Sequence, residues 1–326
     1  MEIFISFIIF IIVLFLYLHI VSQLKRSEDL EIYEMDYTNN RQLQEVCDIK
    51  QPLLFEFQTV CPEFFESLDI SVFENSNNHD VKVKDSNDYF KDNSSVDYIV
   101  LPFQSSQKLL KTDPSAHFFI ENNNDFIEEI GYYKVFQNVD TYLKPLFIVQ
   151  TKYDICMGSK NTVTPLRYHT NFRQFFAVTH GKIHVKMTPW RSSKYLHPIK
   201  DYDNYEFRSP INVWKPQDKY LHDMDKIKFL EFDVRPGYVL SIPPYWWYSI
   251  KYSNDEESMF CSVTYNSAMN VVANIPDWIL YFIQQQNTKQ KPVKTLHIDS
   301  KNNEESKHNE PVGDEPSCVT GQSSTL

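Results

Sequence analysis

Glycine is scarce in this sequence, with six residues in 326. Loops that cradle nucleotide phosphates need glycines at fixed offsets so that the backbone can approach the ligand, and neither GxGxxG nor GxxxxGK[ST] occurs. Positive charge is also short. Lys and Arg total 32 against 43 Asp and Glu, giving a net charge of −11, and no basic run forms a footprint for nucleic acid. The five cysteines, Cys47, Cys61, Cys156, Cys261 and Cys318, are far apart and make neither CxxC nor a zinc spacing with histidine. They read as reduced core thiols in a cytosolic setting rather than a disulfide framework. One N-glycosylation sequon, Asn93-Ser94-Ser95, matters only for a lumenal domain.

Apolar and aromatic residues are abundant. The chain is 42% hydrophobic and carries 20 Tyr and 24 Phe, enough for a sizeable core rich in strand-favouring side chains. The stretch IFISFIIFIIVLFLYLHIV (3–21) contains no Asp, Glu, Lys or Arg. At 1.5 Å rise per residue it nearly spans a hydrocarbon core. Glu2 at its start and the lack of an A-x-A-like site favour a retained anchor over a signal peptide. Lys25 and Arg26 follow the span and no basic residue precedes it, so the positive-inside tendency puts the globular part in the cytoplasm, as a single-pass membrane protein.

The rest divides into a linker over 25–45, partly helical, a folded domain over 46–286 and a polar, disordered tail over 287–326. Strand signals are densest from 146 to 266, in segments such as QFFAVT, KIHVKMT, YVLSI and WWYSIKY. Their alternation predicts an antiparallel barrel or sandwich. IPDWILYFIQQQ (275–286) predicts a short helix with an apolar face at Trp278, Ile279, Phe282 and Ile283.

Two motifs carry a family resemblance: TPLRYHTNFRQFFAVTHGKIHVKMTP (164–189) and VRPGYVLSIPPYWWYSIKY (234–252). They resemble the cupin-like, JmjC-type oxygenases, whose motifs run T-P-x-H-x-D, then G-x-K, and P-G-D-x-L-x-I-P-x-x-W-W-H. QPLLFEF resembles the segment that opens such domains. The resemblance implies a mainly β fold, a double-stranded β-helix of cupin or jelly-roll type with flanking helices, here preceded by one transmembrane helix. It also implies Fe(II) and 2-oxoglutarate as cofactors of an active member, and by analogy a homodimer through a C-terminal helix such as 275–286.

The metal positions depart from the family. Aligned without a gap, Thr164, Pro165, Tyr168 and Lys182 match, while Arg167 stands for the first histidine, His169 for the aspartate and Tyr248 for the second histidine. A gapped alignment would let His169-Thr170-Asn171 stand for H-x-D, at the cost of the lysine match. Arg has no lone pair to offer a metal, and Tyr would have to ligate as a phenolate. No metal site and no cofactor is therefore expected. Thr164, Arg167, His169, Lys182 and Tyr248 become candidates for a pocket that holds a small anion between Arg167 and Lys182, or a surface that holds a protein partner. The bland alternative pairs Arg167 with a structural acid and leaves Lys182 on a solvated face. An active hydroxylase with other ligands, or a purely structural membrane-associated protein, are the rival readings. His180 and His184 read as exposed strand residues, Asp223 and Asp225 as solvated turn acids, and Trp246 and Trp247 as core and rim.

Overall fold

The computed structural model describes residues 2–68, 70, 73, 79–91 and 96–286. The sequon at Asn93, the tail 287–326 and Cys318 lie outside the described residues. The chain begins with α1 (Glu2–Leu24), β1 (Tyr33–Glu34), α2 (Asn40–Cys47), β2 (Leu53–Glu56) and α3 (Pro62–Ser67). There follow β3 (Asp80–Asp85), β4 (Tyr98–Pro102), α4 (Phe103–Thr112), β5 (Phe118–Ile120), α5 (Asn124–Glu129) and α6 (Tyr133–Leu143). The strand-rich part runs β6 (Ile148–Gly158), β7 (Arg167–Tyr168), β8 (Arg173–His180), β9 (Ile183–Thr188), β10 (Ile199–Asp201) and β11 (Glu206–Arg208). It ends with α7 (Leu221–Met224), β12 (Leu230–Val234), β13 (Tyr238–Ile242), β14 (Trp247–Tyr252), β15 (Ser258–Ser267), α8 (Ala268–Ala273) and α9 (Ile275–Gln286).

Two sheets form. The larger has the order β1-β2-β13-β8-β15-β6-β5-β3-β4 and the smaller β10-β11-β7-β14-β9-β12. Eight strands make the core of the pair: β13-β8-β15-β6 in one sheet face β7-β14-β9-β12 in the other, all antiparallel to their neighbours. The chain crosses from sheet to sheet at almost every step, so it winds as a double-stranded β-helix. The expected fold is present, flanked by helices and led by an apolar helix.

Side-chain alternation explains the winding. In β9, Ile183, Val185 and Met187 are buried between the sheets while His184 and Lys186 face outward. Those two sit opposite Asp233 and Glu231 of β12, so the outer face is lined with opposite charges. In β14, Tyr248, Ile250 and Tyr252 join the inter-sheet core with Phe176, Leu240 and Phe260, while Trp247 turns the other way into an aromatic cap with Tyr168 and Phe207. A third core fills the back of the larger sheet, where α2, α3 and α6 supply Leu43, Phe64 and Phe136. Trp246 and Trp247 are both fully buried, and each indole N–H is used, by the Lys50 carbonyl at 3.0 Å and the Ser193 hydroxyl at 2.7 Å.

Two turns shape the barrel, the second of them at its mouth. Gly237 joins β12 to β13 at φ 88°, a conformation that side chains with a Cβ disfavour. Tyr245, after Pro243-Pro244, takes φ 66° and donates its backbone N–H to the His169 carbonyl at 2.9 Å. This turn ties the two motifs of the sequence together.

The stretch read as a linker is built into the domain. It carries β1, paired in parallel with β2, and the start of α2, whose Leu43 is buried. α1 is long and apolar enough to cross a membrane, and none of its apolar window is buried.

Candidate functional site

A cavity of about 390 Å³ opens at the mouth of the barrel between the sheets. Arg167, His169 and Tyr248, the three residues aligned with metal-ligand positions, all line it. The pairing of strands explains the convergence. Tyr248 of β14 lies opposite Arg167 of β7, and His169 follows two residues on from Arg167. The rings of His169 and Tyr248 meet edge-on with centroids 6.2 Å apart, and the Arg167 guanidinium lies 5.6 Å from the centroid of Tyr248.

Arg167 is not free to grip a ligand. Both of its terminal nitrogens bond the Glu121 carboxylate, one at 2.5 Å. Glu121 also accepts from Lys84 at 3.0 Å, and Lys84 reaches Glu206 at 2.5 Å. This chain of four charges ties β3 and the end of β5 to β7 and β11, and so stitches the two sheets across the mouth. Burial works against the charges of Glu121, Lys84 and Arg167. Burial would raise the Glu121 carboxyl, but Arg167 and Lys84 outweigh it and hold the group at about 2. Burial likewise opposes the charges of Lys84 and Arg167, and their carboxylate neighbours hold both well above their ordinary values. Lys84, Glu121 and Arg167 are ionised over the physiological range.

His169 and Tyr248 are neutral beside it. Burial, reinforced by the positive charges of Arg167 and Lys50, lowers His169 to about 3 against the pull of a hydrogen bond to the Ile242 carbonyl. That bond, 3.0 Å from Nε2, assigns the proton to Nε2 and leaves Nδ1 a bare acceptor without a partner. Burial raises Tyr248, only partly offset by Arg167, so it stays a phenol. On the opposite wall, burial raises Asp154 to about 6 although it accepts backbone N–H bonds from Asn122 and Asn123 at 2.6 and 2.8 Å.

The remaining candidates lie elsewhere. The Thr164 hydroxyl accepts from the backbone of Ile250 at 2.9 Å, splinting the loop before β7 to β14. Lys182 sits at the turn between β8 and β9, 3.6 Å from Asp255, and does not line the cavity. The expected grip on an anion by Arg167 and Lys182 together is therefore not formed: a surface acid faces one and a buried acid holds the other. His184 pairs with Asp233, and Asp223 pairs with His197 at 2.9 Å and Lys226 at 3.2 Å, so these are structural contacts at the surface. Glu121, Lys84, Glu206 and Asp154 escaped the sequence reading.

A cupin-like domain matches residues 22–275. The chain belongs to the cupin-like family, of JmjC type. The match begins inside α1 and includes the stretch read as a linker, in keeping with the packing of β1 and α2. No curated protein matches the chain significantly.

The cupin-like site residues of this chain do not fit iron. The donor set that the fold would offer is a guanidinium already bonded to a carboxylate, one neutral imidazole and a buried phenol. A non-haem iron centre needs two imidazoles and a carboxylate on one face. Among the described residues no group of three or more His, Cys, Asp or Glu side chains could hold a metal ion. Four described cysteines, Cys47, Cys61, Cys156 and Cys261, are free and buried.

Proposed function

We propose that this chain is a membrane-tethered, catalytically degenerate relative of the 2-oxoglutarate-dependent protein hydroxylases, acting as a binding or scaffold module. The observation that carries the reading is the Arg167–Glu121 pair. In the ungapped alignment Arg167 stands for the family's first metal-ligand histidine, and its fixed charge and counter-ion support the reading. The mouth remains open, at a volume suited to a small polar molecule, and it offers unpartnered groups such as His169 Nδ1 and Glu206 Oε2. α1 supplies the tether by its length and its freedom from charge over residues 3–21, and Lys25 and Arg26 favour a cytoplasmic domain.

The test is an anaerobic Fe(II) titration of the full chain in detergent, with and without 2-oxoglutarate. The reading expects no stoichiometric iron in either case. One iron per chain, bound more tightly with 2-oxoglutarate, would restore the active hydroxylase.

A further inference from the structure

The joint between α1 and the domain is short. Leu24 ends the helix, and the Arg26 guanidinium already lies 4.0 Å from the centroid of the Trp190 ring and 4.5 Å from that of Tyr245. Glu28 then accepts the backbone N–H of Arg191 at 3.0 Å. α1 also packs against α8. Ile20 and Gln23, near the end of α1, are partly covered, while Ile3 and Phe4 through Leu18 stand exposed. A domain clamped within two residues of an apolar span cannot stand off from the surface that the span enters.

On both sides of α8 the domain shows large apolar side chains to solvent. Before it, Leu146 and Phe147 are 81% and 86% exposed, with Val149 beside them. Phe147 takes φ 59°, a region that bulky residues avoid, and its carbonyl accepts the N–H of Ala268, the first residue of α8, at 3.3 Å. A strained backbone thus holds an aromatic ring out into solvent next to α8. After it, α9 is seated on the domain by one face: Trp278 stacks on Tyr205 at 4.6 Å, and Gln284 bonds Asp203 at 2.8 Å. Ile279, Phe282 and Ile283 share the other face and are exposed. Exposed apolar groups of this size and proximity mark a contact surface.

We infer that the Leu146–Val149 loop and the outer face of α9 dock on the lipid bilayer entered by α1, at the level of the headgroups. This inference rests on α1 being a membrane anchor. Aromatic and aliphatic tips on a domain joined to the span through Lys25 and Arg26 suit that layer, where amphipathic segments bury their apolar face by 5–10 Å. The shortness of the joint favours lipid over a second copy, because the clamp keeps this face at the membrane whatever its oligomeric state.

Single cysteines report the contact. In a Cys318→Ser background, full chains carrying Phe10→Cys, Leu146→Cys, Phe147→Cys, Phe282→Cys or Val100→Cys are labelled with an environment-sensitive fluorophore. They are reconstituted in phosphatidylcholine–phosphatidylserine vesicles holding nitroxides at the headgroup or deep in the acyl chain. The inference expects the label at 10 to be quenched by the deep nitroxide. Labels at 146, 147 and 282 should be quenched by the headgroup nitroxide at least twofold more than the label at 100, which sits on the edge strand β4. If 10 is quenched but 146, 147 and 282 behave like 100, the docking is overturned and the anchor stands. An unquenched label at 10 overturns the anchor, and the docking with it. Blue-shifted labels at 147 and 282 that no lipid nitroxide quenches, and that revert when the protein is diluted in lipid, would assign the face to a second copy and overturn the lipid contact.

Discussion

Arg167 and Tyr248 are direct partners on adjacent antiparallel strands, with the guanidinium of one 5.6 Å from the ring of the other. The cation is held against a π-face on one side and a buried carboxylate on the other. The pair therefore behaves as structure as well as lining. Arg167→Met leaves Glu121 buried with Lys84 as its remaining partner and is expected to cost about 3–5 kcal/mol in denaturant unfolding. Arg167→Met combined with Glu121→Leu removes both charges and should recover most of that loss. A double variant destabilised by the sum of Arg167→Met and Glu121→Leu alone would show that the pair is not coupled.

The three aligned positions converge well enough to be rebuilt. Glu121→Gln, Arg167→His, His169→Asp and Tyr248→His together place two imidazoles and a carboxylate at the mouth and remove the carboxylate that Arg167 would abandon. This quadruple variant is expected to bind one Fe(II) under anaerobic titration where the parent chain binds none. A folded quadruple variant that binds no iron would mean the three positions do not converge on a metal-sized space.

Acid stability should carry two opposed slopes. His169 is depressed to about 3, so its contribution is present above its ordinary value near 6.5 and is lost as the pH falls, because the unfolded chain takes the proton first. Asp154 is raised to about 6, so its contribution is present below the ordinary carboxyl range and is lost as the pH rises through 6. The His169 shift is the larger, and Asp154 is partly exposed, so the parent should lose stability from pH 7 to 4.5, His169 contributing on the order of 2 kcal/mol. His169→Asn should flatten or invert that slope, and Asp154→Asn should steepen it. Glu121, held at about 2, begins to add to the acid loss only as the pH nears its ordinary value of 4.5, at the end of this range.

Gly158 is closed in by Tyr252, whose ring atoms lie 2.2 and 2.3 Å from where a Cβ would stand. Tyr252 is fully buried and has little room to yield. Gly158→Ala is expected to cost about 1–3 kcal/mol by overpacking, read as a lowered midpoint of unfolding.

Lys182 offers a contrast. Its contact with Asp255 at 3.6 Å is partly exposed, so Lys182→Ala should change stability by at most about 1 kcal/mol and leave ligand binding in the cavity unaltered. A lost ligand would place Lys182 in the site after all.

The β-helix was legible because alternation and turn signals act over a few residues, as in Ile183, Val185 and Met187 or Pro236-Gly237. The cavity was legible in part, through Arg167, His169 and Tyr248, whose positions within motifs set which face they share. The charge network was not. Glu121 ends an apolar run in HFFIE, Glu206 stands between Tyr205 and Phe207, and Lys84 continues the alternation of Val81, Lys82 and Val83 yet is buried. Lys84 and Glu206 fall where alternation asks for an ordinary outward-facing charge, and partners 37 to 122 positions apart meet only through the topology of two sheets. Lys182 failed for a related reason: its motif position matched, while the turn carried it away from the mouth.

A barrel of this family that relies on iron can be emptied by chelation, poisoned by oxidation or starved when iron or oxygen runs low. The guanidinium of Arg167 is bonded covalently to the chain and keeps its charge at any pH that a cell tolerates. Whatever occupies this mouth, the charge at its first position answers to the genome, and stays constant through changes of redox state and metal supply that would silence an iron-dependent relative.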